Sequence, residues 1–380
     1  NAYHVSMGVR IGGARKKPYR VLWQQVVAPP AQSAGGCIAL AERTSLKLHD
    51  TTIRNCSARS GGGIAVMDAA YVRVSQSVVD VCTATVSGGA AYGESNSMMS
   101  FDGTNITNCT ADALGGGIAL DVNATAGMTS TRIHECEARQ GGGIFSRGAG
   151  VFLGWGSEVK LNSCTTGGGG VTVTKGNVVL ENAALDNNTA TNGGGLVVSG
   201  LGRAHIANSR IRRNYARHSG GGANFDAPYV NSGSGSGSIV LDASMTYLIE
   251  TNALIAGAAS NLSGIVGGSA REIVNSTIDD NTADVGGGGV FWSHLNRNGT
   301  KVLCQNCVFS GNRAMYGKKY ATEMVLWDSV PMAQANSTLA AMSQTSANEI
   351  ANTGSVSKAT LRRALDRVLK PFRSPPGEII

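Results

Sequence analysis

The chain has 380 residues, of which 52 are Gly, 8 are Cys and 5% are aromatic, with a formal net charge of +7. So few aromatics argue against a reader of nucleic acid, which interleaves stacking rings with Lys and Arg, and no run of about eighteen apolar residues is present to cross a membrane as a helix. The positive balance points instead to acidic partners: an anionic polysaccharide, a negatively charged surface or an acidic neighbour.

Residues 1–34 form a basic N-terminal segment, with "RIGGARKKPYR" at 10–20 and a break at Pro29-Pro30. The chain starts at Asn1 with neither Met nor a signal peptide, and reads as a trimmed piece of a longer protein. From 35 to 318 one sentence is written repeatedly, as in "NCTADALGGGIAL" at 108–120. Aligned on the position two places before a small Ala or Thr, the copies place Cys56, Cys82, Cys109, Cys136, Cys164, Asn188, Asn214, Asn281 and Asn312 in one slot. The first seven are spaced by 26, 27, 27, 28, 24 and 26 residues, and a weaker copy falls at Asn252. Three places before the slot stands an apolar residue (Ile53, Val79, Ile106, Ile133, Leu161, Leu185, Ile211, Ile278, Phe309), and a Gly run with a short apolar segment follows it.

A period near 26 with so much Gly is too short and too broken for helical repeats. Short Val/Ile-rich segments bounded by Gly, Asn and Ser read as strands between turns. Stacked about 4.8 Å apart, one coil per repeat, they predict an all-β parallel β-helix of about ten coils, a rod about 50 Å long. The usual crossover preference makes it right-handed. In this reading the apolar column is the core, and the small column sits at a tight corner. The Gly runs permit positive φ, and Asn in the slot tolerates a left-handed bend while stacking into a hydrogen-bonded ladder.

Beyond the register, "NSGSGSGS" at 231–238 reads as an inserted flexible loop. Residues 319–380 change period and predict a C-terminal α-helical cap or docking tail. In "KATLRRALDRVLKPF", Leu361, Leu365, Val368, Leu369 and Phe372 share one face opposite Arg362, Arg363, Arg367 and Lys370, which makes them the candidate assembly contact.

The paired signatures, "FSGN" at 309–312 with "GGGI" and "GGGL", resemble the repeats of chlamydial polymorphic outer membrane proteins and their extracellular protist and algal relatives. The resemblance covers residues 35–316. It implies a right-handed parallel β-helix displayed outside the cell, where the bacterial members act as adhesins. Cys fills five slots where that family mostly has Asn, and the tail lacks the alternating ten-residue strands of an outer-membrane barrel.

Nine Asn-x-Ser/Thr sequons fit that setting as N-glycan acceptors: Asn55, Asn105, Asn108, Asn123, Asn187, Asn261, Asn275, Asn298 and Asn336. The column Cys56, Cys82, Cys109, Cys136 and Cys164 stacks at a spacing that a disulfide tolerates, for example Cys56 to Cys82 and Cys109 to Cys136. Cys37 and Cys164 are then left needing partners, and a ladder of free thiols is the alternative. Cys304 and Cys307 form a CxxC without the βαβ context or second ligand pair of a redox or zinc site, so a local disulfide or two buried thiols is expected.

Polysaccharide-cleaving β-helices need clustered carboxylates. The only Asp-Asp pair, Asp279-Asp280, lies at a turn position and reads as solvated. The Gly runs lack a following Lys-Ser/Thr, which excludes a phosphate-binding loop. No catalytic, metal or cofactor set is expected. The leading expectation is a glycosylated, non-catalytic extracellular subunit of a filament, surface appendage or wall layer that associates with itself or with neighbouring subunits. A cell-surface adhesin or glycan-binding module using 226–238 is the alternative, ahead of a polysaccharide lyase or hydrolase.

Overall fold

Each repeat folds into one coil of four short strands joined by four corners. The computed structural model describes residues 34–200, 202–225, 271–292, 302–315 and 320–322. The first coil is β1 (Ile38–Leu40), β2 (Ser45–His49), β3 (Thr52–Arg54) and β4 (Ser57–Ser60), and β5 (Ile64–Val66) opens the next. Every strand pairs in parallel with its counterparts one coil away. Four sheets of ten, nine, nine and eight strands result, begun by β1, β2, β3 and β4 respectively. The eight-stranded sheet sets about eight complete turns, somewhat fewer than the spacing predicted, and no α-helix occurs among the described residues. The basic segment up to 33, the stretch 231–238, Asn261, Asn298, Asn336 and the tail residues Leu361, Leu365, Val368, Leu369 and Phe372 lie outside the described residues.

The core follows from alternation within strands only three to five residues long. In β5 the flanking Ile64 and Val66 are fully buried, as are Val72 and Val74 of β6 (Tyr71–Ser75). The central residues of the third sheet form the predicted stack: Ile53, Val79, Ile106, Ile133, Val159, Leu185, Ile211 and Ile278, each at most 1% exposed. Such short strands are marginal alone. Pairing on both edges and burial of one apolar column inside the rod make them stable.

The register corrects two readings in the fifth coil. Ile133 pairs with Val159 and Ala138 with Cys164. The slot there is therefore Asn162, and the spacings become 26, 27, 27, 26, 26 and 26. Leu161 is not core: it is 49% exposed and sits in the left-handed region (φ 56°). Cys164 occupies the small column, where a thiol is nearly as compact as a methyl. Asn252 lies outside the described residues, and no rung stands between its flanking coils, because Ile211 pairs directly with Ile278 and Tyr215 with Thr282. Residues 226–270 are an insertion between β29 (Ala223–Phe225) and β30 (Arg271–Val274).

The left-handed bend belongs to the residue before the slot. Asn55, Val81, Asn108, Glu135, Leu161, Asn187, Arg213 and Asp280 have φ between 51 and 56°, which turns the chain from the third sheet to the fourth. The slot itself carries the ladder. Asn162, Asn188, Asn214, Asn281 and Asn312 are buried. Asn214 Oδ1 accepts from Asn188 N–H (2.9 Å) and Asn188 Nδ2–H (3.0 Å), while its Nδ2 donates to Asn281 Oδ1 (3.0 Å) and Leu185 O (3.0 Å). All four of its amide hydrogen-bonding positions are filled, which offsets the cost of burying it.

A second polar column stands at the corner between the second and third sheets: Thr51, Ser77, Thr104, Thr131, Ser157, Ser209 and Ser276. Each follows a residue of positive φ, from Asp50 to Asn275. Ser77 Oγ accepts from Thr51 N–H (3.0 Å) and donates to Ser75 O (2.7 Å), and Ser209 and Ser276 repeat the pattern. The Gly runs stack in the same way. A Cβ on Gly62 would lie 2.3 Å from the carbonyl oxygens of both Gly89 and Thr83 in the next coil, so no larger residue fits there.

Replacing Asn214 by Ala strands the amide groups of Asn188 and the carbonyl of Leu185 in the interior. Urea unfolding followed by far-UV circular dichroism is expected to show a loss of about 3 kcal/mol.

Candidate functional site

The outer faces of the rod hold the chemistry-bearing side chains, and the coil spacing decides which of them meet. On the third sheet Arg54 stands over Asp80 (2.5 Å), and Asp80 also accepts from Thr107 (2.6 Å) and Asn108 (3.3 Å). Burial would raise the Asp80 carboxyl, but these hydrogen bonds outweigh it and hold it below its ordinary value. Arg147 does the same for Asp121, one coil away, through a bidentate contact. Asp186 binds Arg212 (3.0 Å) and Arg213 (2.8 Å). Asp279 is in register with Arg212, so that guanidinium separates it from Asp186, and Asp280 is a left-handed corner residue. Asp80, Asp121 and Asp186 thus stand beside cations, while Glu94 and Asp121 face each other one coil apart on a surface that Arg147 also lines.

The cysteines divide into two groups. Cys37 is bonded to Cys56, with Cα atoms 5.6 Å apart, and the pairs Cys56–Cys82 and Cys109–Cys136 do not form. Stacked side chains in register project in parallel, and Cys82, Cys109 and Cys136 instead place Sγ 3.1–3.5 Å from the carbonyl oxygen two residues earlier. Cys37 occupies the third place of a Gly run. A Cβ at that place on Gly63 lies 3.4 Å from Cys82 Sγ, nineteen residues on, which is the separation of Cys37 from Cys56. A Cys in the Gly column was the available signal for this pairing.

Neighbouring thiols and burial push the Cys82 and Cys109 thiols far above their usual range, and burial raises Cys164. Cys304 lies on β34 (Leu303–Gln305) and Cys307 takes the hydroxyl column; both are half-buried. Cys304 shares its hydrogen with Cys307, which raises the first thiol and lowers the second. No group of three metal-ligating side chains occurs among the described residues.

Of the described sequons, Asn55, Asn108 and Asn187 occupy the corner before the slot, Asn275 the corner before the hydroxyl column and Asn123 a corner between the first and second sheets. Asn55, Asn108, Asn123 and Asn275 are exposed. Asn187 and Asn105, the latter opening β11 (Asn105–Thr107), are half-buried.

Among the described residues two concave surfaces break the exterior of the rod, one lined by Glu94, Asp121 and Arg147 and the other along the corner between the second and third sheets. The latter is lined by Arg132, Trp155, Glu158, Ala184, Arg210 and the corner residues Asn182, Asn208 and Asn275. In-register pairing runs Arg132, Glu158, Ala184, Arg210, Thr277, one coil apart. At the middle coil Ala183 replaces the column hydroxyl and Ala184 the long outward residue, and their short side chains leave a depression. Trp155 is 45% exposed beside it. The repeat reading missed this surface because Trp155 and the Ala pair each occur in one coil only.

Alkylation of the native protein followed by peptide mass spectrometry is expected to leave Cys82, Cys109, Cys136 and Cys164 unlabelled. Cys307 should label first, and at lower pH than an ordinary thiol, because the thiolate is the reactive form.

A family model described as a right-handed β-helix region matches residues 31–184. No curated protein and no solved structure matches the chain. With the coil order described above, that match makes the described chain a repeat-built, right-handed parallel β-helix.

Proposed function

We propose that the chain is a structural, non-catalytic rod displayed outside the cell, a subunit of a filament, surface appendage or wall layer. The observation that carries this reading is the direction of its polar bonding. Amide ladder, hydroxyl column, Gly runs and outer ion pairs all run from coil to coil along the axis. Such a column resists extension and unravelling, and it ties Asp80, Asp121 and Asp186 to cations on neighbouring coils. The Cys37–Cys56 disulfide and sequons on exposed corners support an oxidising, secretory setting and attached N-glycans. The amphipathic pattern over 358–372 supports self-association through the tail.

Negative-stain electron microscopy of the native protein is expected to show filaments with a regular axial repeat, and removal of residues 358–380 to leave single rods with unchanged β-sheet circular dichroism. Dispersed rods at every concentration would sink the filament reading. Release of oligosaccharides from pectin or alginate, abolished by joint replacement of Asp279 and Asp280 with Ala, would replace the structural reading with an enzymatic one.

A further inference from the structure

The concave surface at the corner of the second and third sheets has the composition of a ligand site, and its use would add to the structural reading without depending on it. We infer that it binds an extended acidic oligosaccharide, a chain of uronate type, lying parallel to the rod axis. Trp155 carries the first part of the argument. A half-exposed indole is an uncommon use of the largest apolar side chain, and it offers a flat apolar face with one N–H donor at the rim. Beside it the paired Ala183 and Ala184 keep the floor low.

Polar groups then recur at the coil spacing. Asn182 Nδ2 and Asn208 Nδ2 both donate to Glu181 Oε1, at 2.9 and 2.8 Å, and Asn306 Nδ2 donates to Asn275 Oδ1 at 3.1 Å. Asn182 Oδ1 and Asn208 Oδ1 have no protein partner among the described residues, so two open acceptors stand one coil, about 4.8 Å, apart. A chain with hydroxyls at regular intervals matches that spacing. An apolar peptide does not, since the surface is open and polar apart from the indole.

Charge selects the acidic class. Glu158 is neutralised by Lys160 (3.0 Å) and Arg132 (3.7 Å), and Glu181 is held by the two Asn amides. Arg210 is exposed and makes no ion pair among the described residues, which leaves its guanidinium as the uncommitted charge of the surface. It lies two coils beyond Trp155, about 10 Å along the axis. A ring stacked on the indole therefore places a carboxylate further along the chain at Arg210, where bidentate pairing is available.

The test uses the full chain as secreted, titrated with short oligogalacturonides by calorimetry. Saturable binding is expected, weakened about tenfold or more by Trp155→Ala and by Arg210→Gln. Trp155→Phe and Arg210→Lys should retain most of it. Both side chains are exposed, and a thermal melt confirms that each variant is folded. No saturable binding at about 10 mM ligand, or binding indifferent to Trp155→Ala, overturns the site. Equal affinity for a neutral cello-oligosaccharide with no effect of Arg210→Gln overturns the acidic class.

Discussion

Stacking one coil on the next at strand spacing puts each residue on top of its counterpart, and the rest of the structure follows from that constraint. A column can be apolar, in which case it feeds the core. It can also be polar and buried, but only if the residue type can hydrogen-bond to a copy of itself about 4.8 Å away. Asn meets the condition because its amide carries donor and acceptor together, and the slot from Asn162 to Asn312 uses both. Ser and Thr meet it less completely. Their single oxygen accepts from the preceding coil's backbone N–H and returns its proton to a local carbonyl.

The same constraint explains the change of slot residue partway along the rod. Cys56, bonded to Cys37, and Cys82, Cys109 and Cys136, with weak thiol contacts, fill the slot of the early coils as small buried side chains. At the junction Cys136 N–H donates to Asn162 Oδ1 (2.9 Å), so the amide ladder starts without leaving a backbone donor unpaired. Each half is internally consistent, and the fold tolerates either chemistry because the third Gly of the preceding run leaves only a small space above the slot.

Features repeated in every coil were legible in the sequence. The apolar column at Ile53, Ile106 and Ile211, the small column and the Gly runs recur at a fixed offset, and their jobs follow from residue size alone. Where two residue types share a job, alignment failed. Cys164 is small enough to stand in the Ala column, so it concealed Asn162 two places earlier and promoted the exposed Leu161 to the core. The hydroxyl column escaped notice because Ser, Thr and Ala alternate there with no single letter to align. Features that occur once were invisible to a repeat-based reading for a stronger reason. Cys37 departs from a Gly column and Trp155 stands in a corner one residue longer than its counterparts, and only the folded coil shows what each departure meets.

Titration separates the inner and outer columns. The amide and hydroxyl ladders carry no ionisable group, so their contribution is the same at every pH at which the coil exists. The outer pairs behave otherwise. Asp80 and Asp121 have folded-state pKa values below those of the unfolded chain, so their stabilisation is complete above the unfolded value of about 3.9 and is lost as pH falls through the folded values. Arg54 and Arg147 are each more than half exposed, which screens these pairs and keeps their share small. Glu181 has the opposite sign. Burial raises its pKa, outweighing the amide bonds from Asn208 and Asn182, so protonation on acidification favours the folded form. Acid therefore loosens the exterior of the rod unevenly while leaving intact the buried ladders that hold one coil to the next.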